Sequence, residues 1–141
     1  MLNIDAYFHK ALSKDAEVVR LTGGRIFNPA CKEKDMEGPF PYIIVKLKSL
    51  SSSGGTKDGR MSDIDSGVVE MLVVGKERKD VAKLTKAAHA AIRAYAEHSQ
   101  GDQYDFVMDI IRPSADEVVY DDLFDCCAQA ITYSCDVTPI D

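Results

Sequence analysis

The residues in this chain best suited to chemistry are two closely spaced aspartates and a glycine-rich loop. Asp63 and Asp65 begin an acidic run similar to a calcium loop. However, Val68 and Val74 occupy the positions that require glycine and a bidentate glutamate. Segment 54–59 could offer backbone amides to a phosphate, but it lacks the GxxxxGK[ST] spacing and no helix is predicted directly after it. We therefore expect no metal ion and no cofactor, and we interpret this segment as part of a hairpin loop.

The four cysteines are predicted to be free thiols: Cys31, Cys126, Cys127 and Cys135. Cys127 and Cys135 share one face of a predicted strand, roughly 26 Å apart at ~3.3 Å per residue. A disulfide needs Cα atoms within about 7 Å. A bridge from Cys31 to one of the others stays open. Cys126-Cys127 is not a CxxC motif, and neighbouring acids disfavour a thiolate there.

No set of residues with the local spacing of a catalytic site is present. His9, His89 and His98 have no Cys–His or Ser–His–Asp partners in local sequence, although such partners could converge in space. We therefore predict no catalytic residues and a protein that is not an enzyme. A small enzyme whose site is assembled from carboxylates distant in the sequence stays an alternative, and shifted pKa values in a pocket would support it.

Periodicity in the sequence predicts one long helix and two shorter helical segments. Apolar residues form one stripe over residues 78–98, namely Val81, Leu84, Ala88, Ile92 and Tyr95. Residues 4–12 have the same spacing and follow Asn3, a candidate N-cap. A further helical turn is expected over residues 15–21.

The remaining apolar segments predict strands. Four strands are expected at 42–50, 65–74, 104–111 and 124–137, with a short extended piece at 25–27. Residues 51–63 are predicted to be a flexible loop, and residues 113–122 a polar connection. The fold class expected is therefore α+β, with a mostly antiparallel sheet of about four strands packed against one long helix. The 141 residues are expected to form a single domain, 1–141.

Charge is distributed unevenly along the chain. The formal net charge is −6 and the pI is near 5.0, which counts against a general nucleic-acid binder. Residues 113–141 contain seven acids and no lysine or arginine, whereas residues 76–93 contain six bases. Three interpretations stay open: intramolecular attraction with solubility, complementary faces on neighbouring copies that could close a ring, and nucleic-acid contact by the lysines.

The sequence predicts neither a membrane span nor a signal peptide. The longest apolar runs, 39–45 and 68–74, fall far short of the ~20 residues that a membrane helix needs. The N-terminal segment contains an aspartate and lacks a basic start. We therefore expect synthesis in the cytosol.

Three stretches carry a family resemblance: GGRIFNPACKEKDMEGPFPYIIVKL (23–47), VVEMLVVGKERKDVAKLTKAAHAAI (68–92) and DEVVYDDLFDCCAQAITYSCDV (116–137). The likeness lies chiefly in Arg25-Ile26, Pro41-Tyr42 and the helix after Gly75. With these features the chain resembles, over roughly residues 4–137, the tail-completion or tail-terminator proteins of long-tailed bacteriophages and prophages. The last strand departs from the family pattern, because it lacks the basic residues that many relatives have there.

The resemblance implies a small, non-enzymatic α+β subunit. Such proteins form a ring, commonly of six copies, at the head-proximal end of the tail tube. The ring stops tube polymerisation and provides the head–tail joining surface. The implied partners are other copies, the tail tube protein and head–tail connector proteins, without membrane or direct nucleic-acid binding. The implied location is the host cytoplasm during assembly and then the virion tail.

Two sets of charged residues are candidate contacts. The predicted subunit interface places basic residues of one copy against acids of its neighbour: Lys79, Lys83, Lys86 and Arg93 against Asp121, Asp122 and Asp125. The predicted contact with the tube or connector lies in the 51–63 loop, at Lys57, Asp58 and Arg60. The alternative function is a small non-catalytic adaptor or regulatory domain that binds one protein through this loop.

Overall fold

Helices and strands are interspersed along the part of the chain that the structure describes. In this computed structural model that part comprises residues 2–28, 38–52, 63–98 and 104–140. Its helices are α1 (Ile4–Ser13), α2 (Ala16–Thr22) and α3 (Arg78–His98). Its strands are β1 (Ile26–Phe27), β2 (Tyr42–Ser51), β3 (Ser66–Gly75), β4 (Phe106–Ala115), β5 (Val119–Asp121) and β6 (Cys126–Pro139). The predicted α+β class is confirmed.

The described strands form one mixed sheet. Their order is β1-β2-β3-β6-β4, and β5 pairs with β6. β1 runs parallel to β2, with Ile26 opposite Ile43, whereas the other pairings are antiparallel. The sheet therefore has six strands instead of the predicted four or so. The four long strands are those expected, and the two additional strands are too short to show a period in the sequence.

The predicted polar connection over residues 113–122 is wrong. β4 continues to Ala115, and Val119–Asp121 forms β5 opposite residues 126–128 of β6. The predicted strand ended at residue 111 because Pro113 follows, and proline has no N–H to donate to a neighbouring strand. The position is tolerated because β4 lies at the end of the strand order and is paired with β6 alone among the described strands.

The core lies between the helices and one face of the sheet. In β3, alternate residues Val69, Met71 and Val73 are fully buried, as expected for a strand with one face in the core. Phe8 of α1 packs against Tyr133 of β6, with ring centroids 5.0 Å apart. The buried residues of α3 are Val81, Leu84, Ala88, Ala91 and Ile92. Most of the stripe predicted from helical spacing therefore faces the core.

The opposite face of the sheet carries a second, smaller apolar cluster. Tyr42, Val74 and Cys126 are each 3% exposed and lie at its centre. Phe40 and Phe124 pack against them from the flanking segments. No residue of the described helices belongs to this cluster. The sheet is thus covered by helices on one face only within the described residues.

The first two helices begin in different ways. Asn3 occupies the N-cap position of α1, as predicted, but its side chain makes no capping hydrogen bond. Asp15 precedes α2, and its Oδ2 accepts a hydrogen bond from the Val18 amide at 3.0 Å. α2 ends at Thr22, and Gly23 caps it with a φ of 64°, a conformation that glycine adopts without steric cost.

β4 forms an edge of the sheet with several irregular features. Its register with β6 shifts between Met108 and Ile110. Pro113 lacks a backbone N–H and so interrupts the row of hydrogen-bond donors along the strand. The exposed Arg112 donates to Asp136 of β6 at 2.8 Å. Thr138 of β6 donates to Asp109 at 2.6 Å. The edge is therefore bulged and carries charged side chains.

Candidate functional site

The predicted basic residues lie on the exposed face of α3. Their spacing over residues 79–93 keeps all four on one side of the helix, and all are exposed. The four are Lys79, Lys83, Lys86 and Arg93. This face lies opposite the buried stripe, so it is accessible to another molecule.

Two of these basic side chains already interact within the chain. Lys79 Nζ lies 3.3 Å from Glu77 Oε2. The pKa of Glu17 is lowered, mainly by its hydrogen bonds from Arg20 and to a smaller extent by the charge of Lys83. Within the described residues, Lys86 and Arg93 form no hydrogen bond or ion pair through their side chains. These two cations are therefore the ones most available to a partner.

The predicted acidic residues lie at the end of β5 and in the turn between β5 and β6. Asp121 Oδ1 accepts a hydrogen bond from the Leu123 amide at 2.9 Å, which closes the turn. Asp125 has a φ of 49°, a left-handed conformation that aspartate and asparagine tolerate better than most residues. Asp122 is exposed and its carboxylate makes no hydrogen bond or ion pair to any described residue.

Asp125 is paired within its own chain. Lys76 Nζ donates to Asp125 Oδ2 and to the Asp125 carbonyl, both at 3.0 Å. The Tyr120 hydroxyl donates to Asp125 Oδ1 at 2.6 Å. These bonds, first that from Tyr120 and then that from Lys76, lower the pKa of Asp125. Attraction within the molecule, one of the three interpretations of the charge pattern, thus accounts for this residue.

Strand β5 and the turn that follows it contain three exposed apolar side chains that the sequence analysis did not select. Leu123 is 81% exposed, Val119 63% and Tyr120 55%. We call these three residues the apolar tip. Val119 and Tyr120 are neighbours in β5 and point to opposite faces of the sheet, and Leu123 is the most exposed of the three. They were missed because the acidic segment 113–122 was predicted to be a polar connection, and Leu123 falls between it and the strand predicted over 124–137.

A groove of about 310 Å³ lies between α3 and β4. Its lining is His89, Ile92, Arg93, Ala96, Glu97, Met108, Asp109, Ile111, Pro113 and Tyr133. His89 Nδ1 lies 3.1 Å from the Tyr133 hydroxyl, and burial raises the pKa of Tyr133. The groove was not predicted, because its lining comes from α3, β4 and β6, which are far apart in the sequence.

The other predicted sites have different outcomes. Lys57, Asp58 and Arg60 lie outside the described residues, as does Cys31. Cys126, Cys127 and Cys135 are free thiols, and burial raises the pKa of Cys135 to about 12. Within the described ranges no group of three or more histidines, cysteines or carboxylates is placed to hold a metal ion. The described helices include none long and apolar enough to cross a membrane.

Comparison with known proteins supports a shared fold. No protein-family model matches the chain, and no curated protein matches it significantly. Among solved structures, a chain of "Virion of native gene transfer agent (GTA) particle" is similar, with a TM-score of 0.55 and 14% identity. The match covers 96% of this chain and 94% of that chain. The two chains thus share a fold over almost their whole lengths.

Proposed function

We propose that this protein is a structural, non-enzymatic subunit of a phage-like virion that completes the tail tube as a ring. The observation that carries the proposal is the fold shared with a chain of a gene transfer agent virion, across 96% of this chain. The sequence resemblance to tail-completion proteins supports the more specific assignment. The head-proximal surface of the ring would then join the tail to the head.

The distribution of charge supports contact between copies. Lys86 and Arg93 lie exposed on α3, and Asp122 lies exposed on the β5–β6 turn. None of the three side chains has a hydrogen bond or ion pair among the described residues. Two different complementary surfaces on one subunit give a heterologous contact, which closes into a ring when the rotation between copies permits.

The partners of such a ring are other copies of this chain, the tail tube protein and the head–tail connector proteins. We propose assembly in the host cytoplasm and a final location in the virion tail. Direct binding to nucleic acid is not part of the proposal, because the net charge of −6 opposes it.

Native mass spectrometry over a concentration series, at low and moderate salt, tests the proposal together with deletion of the gene from the element that encodes it. We expect a closed ring of defined copy number, and particles whose tails fail to join heads after deletion. A monomer at every concentration together with normal particles after deletion would contradict the proposed function.

A further inference from the structure

We propose that the apolar tip is a docking element, and that it inserts Leu123 into the α3–β4 groove of a second copy of this chain. The inference rests on the proposed function for its choice of partner. It goes further by naming the inserted side chain, the receiving groove and the polar contact that orients them.

The tip is held in a fixed conformation before any partner binds. Asp121 closes the turn through the Leu123 amide, and Asp125 joins it to Tyr120 and Lys76. Phe124, next to Leu123, packs back onto the second apolar cluster of the sheet. Because the turn is already ordered, little conformational entropy is lost when Leu123 is buried.

Leu123 cannot reach the groove of its own chain. The turn precedes Cys126, the first residue of β6. The groove is lined by Tyr133, farther along β6, and by residues of β4. Tyr133 lies seven positions after Cys126 along the strand, a distance of roughly 23 Å at ~3.3 Å per residue. The tip and the groove therefore lie at different places on one molecule, as a head-to-tail contact requires.

The groove is suited to a branched apolar side chain. Its base includes the buried side chains of Ile92 and Tyr133, and Ile111 and Met108 form part of the β4 wall. A volume of about 310 Å³ is at the lower end of the range for small-ligand pockets. It accommodates one leucine side chain with part of the flanking turn.

Charge determines the orientation of the inserted turn. His89, Arg93 and Glu97 line the α3 side of the groove, whereas Asp109 lies on the β4 side. Asp109 already accepts a hydrogen bond from Thr138, and Arg93 has no ion-pair partner among the described residues. Asp122, adjacent to Leu123, would therefore meet Arg93 of the neighbouring copy.

Cysteine pairing tests this contact directly. Leu123→Cys protein is mixed with Ala96→Cys protein, in which the new thiol lines the groove, and the mixture is oxidised mildly. The matched control is Ala94→Cys, which lies exposed on the same helix but does not line the groove. We expect a mixed disulfide with Ala96→Cys at least about tenfold more abundant than with Ala94→Cys, because Cα atoms must approach within about 7 Å.

Each variant incubated alone controls for reaction with the native cysteines. Equal yields at positions 94 and 96 would overturn the proposed contact.

A second pair of variants tests the docking contact separately from the proposed function. Leu123→Asp should raise the concentration needed for ring formation by about tenfold or more, whereas Leu123→Met should preserve the ring. A ring that forms equally well with Leu123→Asp would refute the docking contact and leave the proposed function intact. A wild-type chain that never assembles, with normal particles after gene deletion, would contradict the function and the contact together.

Discussion

Asp125 holds the β5–β6 turn through two contacts whose strength depends on pH. Its pKa is lowered by Tyr120 and Lys76, so the charged form stabilises the folded turn. That stabilisation is present above the ordinary aspartate pKa of 3.8 and is lost as the pH falls through the lower folded value. The pKa of Tyr120 is raised to about 12, mainly by its bond to Asp125. The Tyr120 contribution is therefore present below pH 10 and lost as the pH rises through about 12.

We predict that the turn is ordered over the neutral range and loosens in acid. The Leu123 methyl resonances should converge on random-coil positions as the pH falls below the ordinary aspartate range. Asp125→Asn is the matched variant, because asparagine tolerates the positive φ but lacks the charge. Its Leu123 resonances should be more averaged at neutral pH and change little with acid. The same acid transition in both proteins would contradict this role of Asp125.

At the level of single residues, sequence identified the charged groups but not which of them are free. Asp121, Asp122 and Asp125 look equivalent in the sequence, since all are acids in one polar segment. The fold gives them different roles, because the pairing of β3 with β6 sets Gly75 opposite Cys127 and so brings Lys76 beside Asp125. Leu123 was overlooked for a related reason, because an apolar pair, Leu123-Phe124, between acids is too short to show a repeat.

The helices and strands that the sequence predicted best are those in which apolar residues recur at a regular spacing. α3 has a helical repeat over 21 residues, and β3 alternates buried and half-buried residues over most of its length. By contrast, the three residues of β5 contain too few side chains to show a repeat. β5 and the last part of β4 are determined by pairing with β6, which is tertiary information that local sequence does not contain.

The helix starts provide a prediction at the level of elements. Asp15→Ala should lower the free energy of unfolding by about 1 kcal/mol, because it removes the acceptor of the Val18 amide. Asn3→Ala should change it by less than about 0.5 kcal/mol, since the Asn3 side chain makes no capping bond. Urea denaturation of the two variants and of Asp15→Ser measures both effects. Equal losses for Asn3→Ala and Asp15→Ala would refute this distinction.

At the scale of the whole molecule, the uneven charge distribution predicts which cations contribute to assembly. Lys86→Glu and Arg93→Glu should weaken ring formation at low salt by about tenfold, because each reverses a charge with no described partner. Lys79→Glu is the matched control, on the same helix face but already beside Glu77. Its effect should be clearly smaller. Native mass spectrometry of the three variants checks the order, and a Lys79→Glu effect equal to the others would contradict it.

The irregular β4 edge has a consequence for the time before assembly. A straight, unpaired strand invites edge-to-edge pairing with other chains, and bulges, prolines and charges discourage it. β4 combines a register shift after Met108 with Pro113 and the charged side chains of Asp109 and Arg112. Newly synthesised copies can therefore accumulate without coalescing into sheet aggregates. We therefore expect free subunits to remain dispersed in solution before they bind a partner.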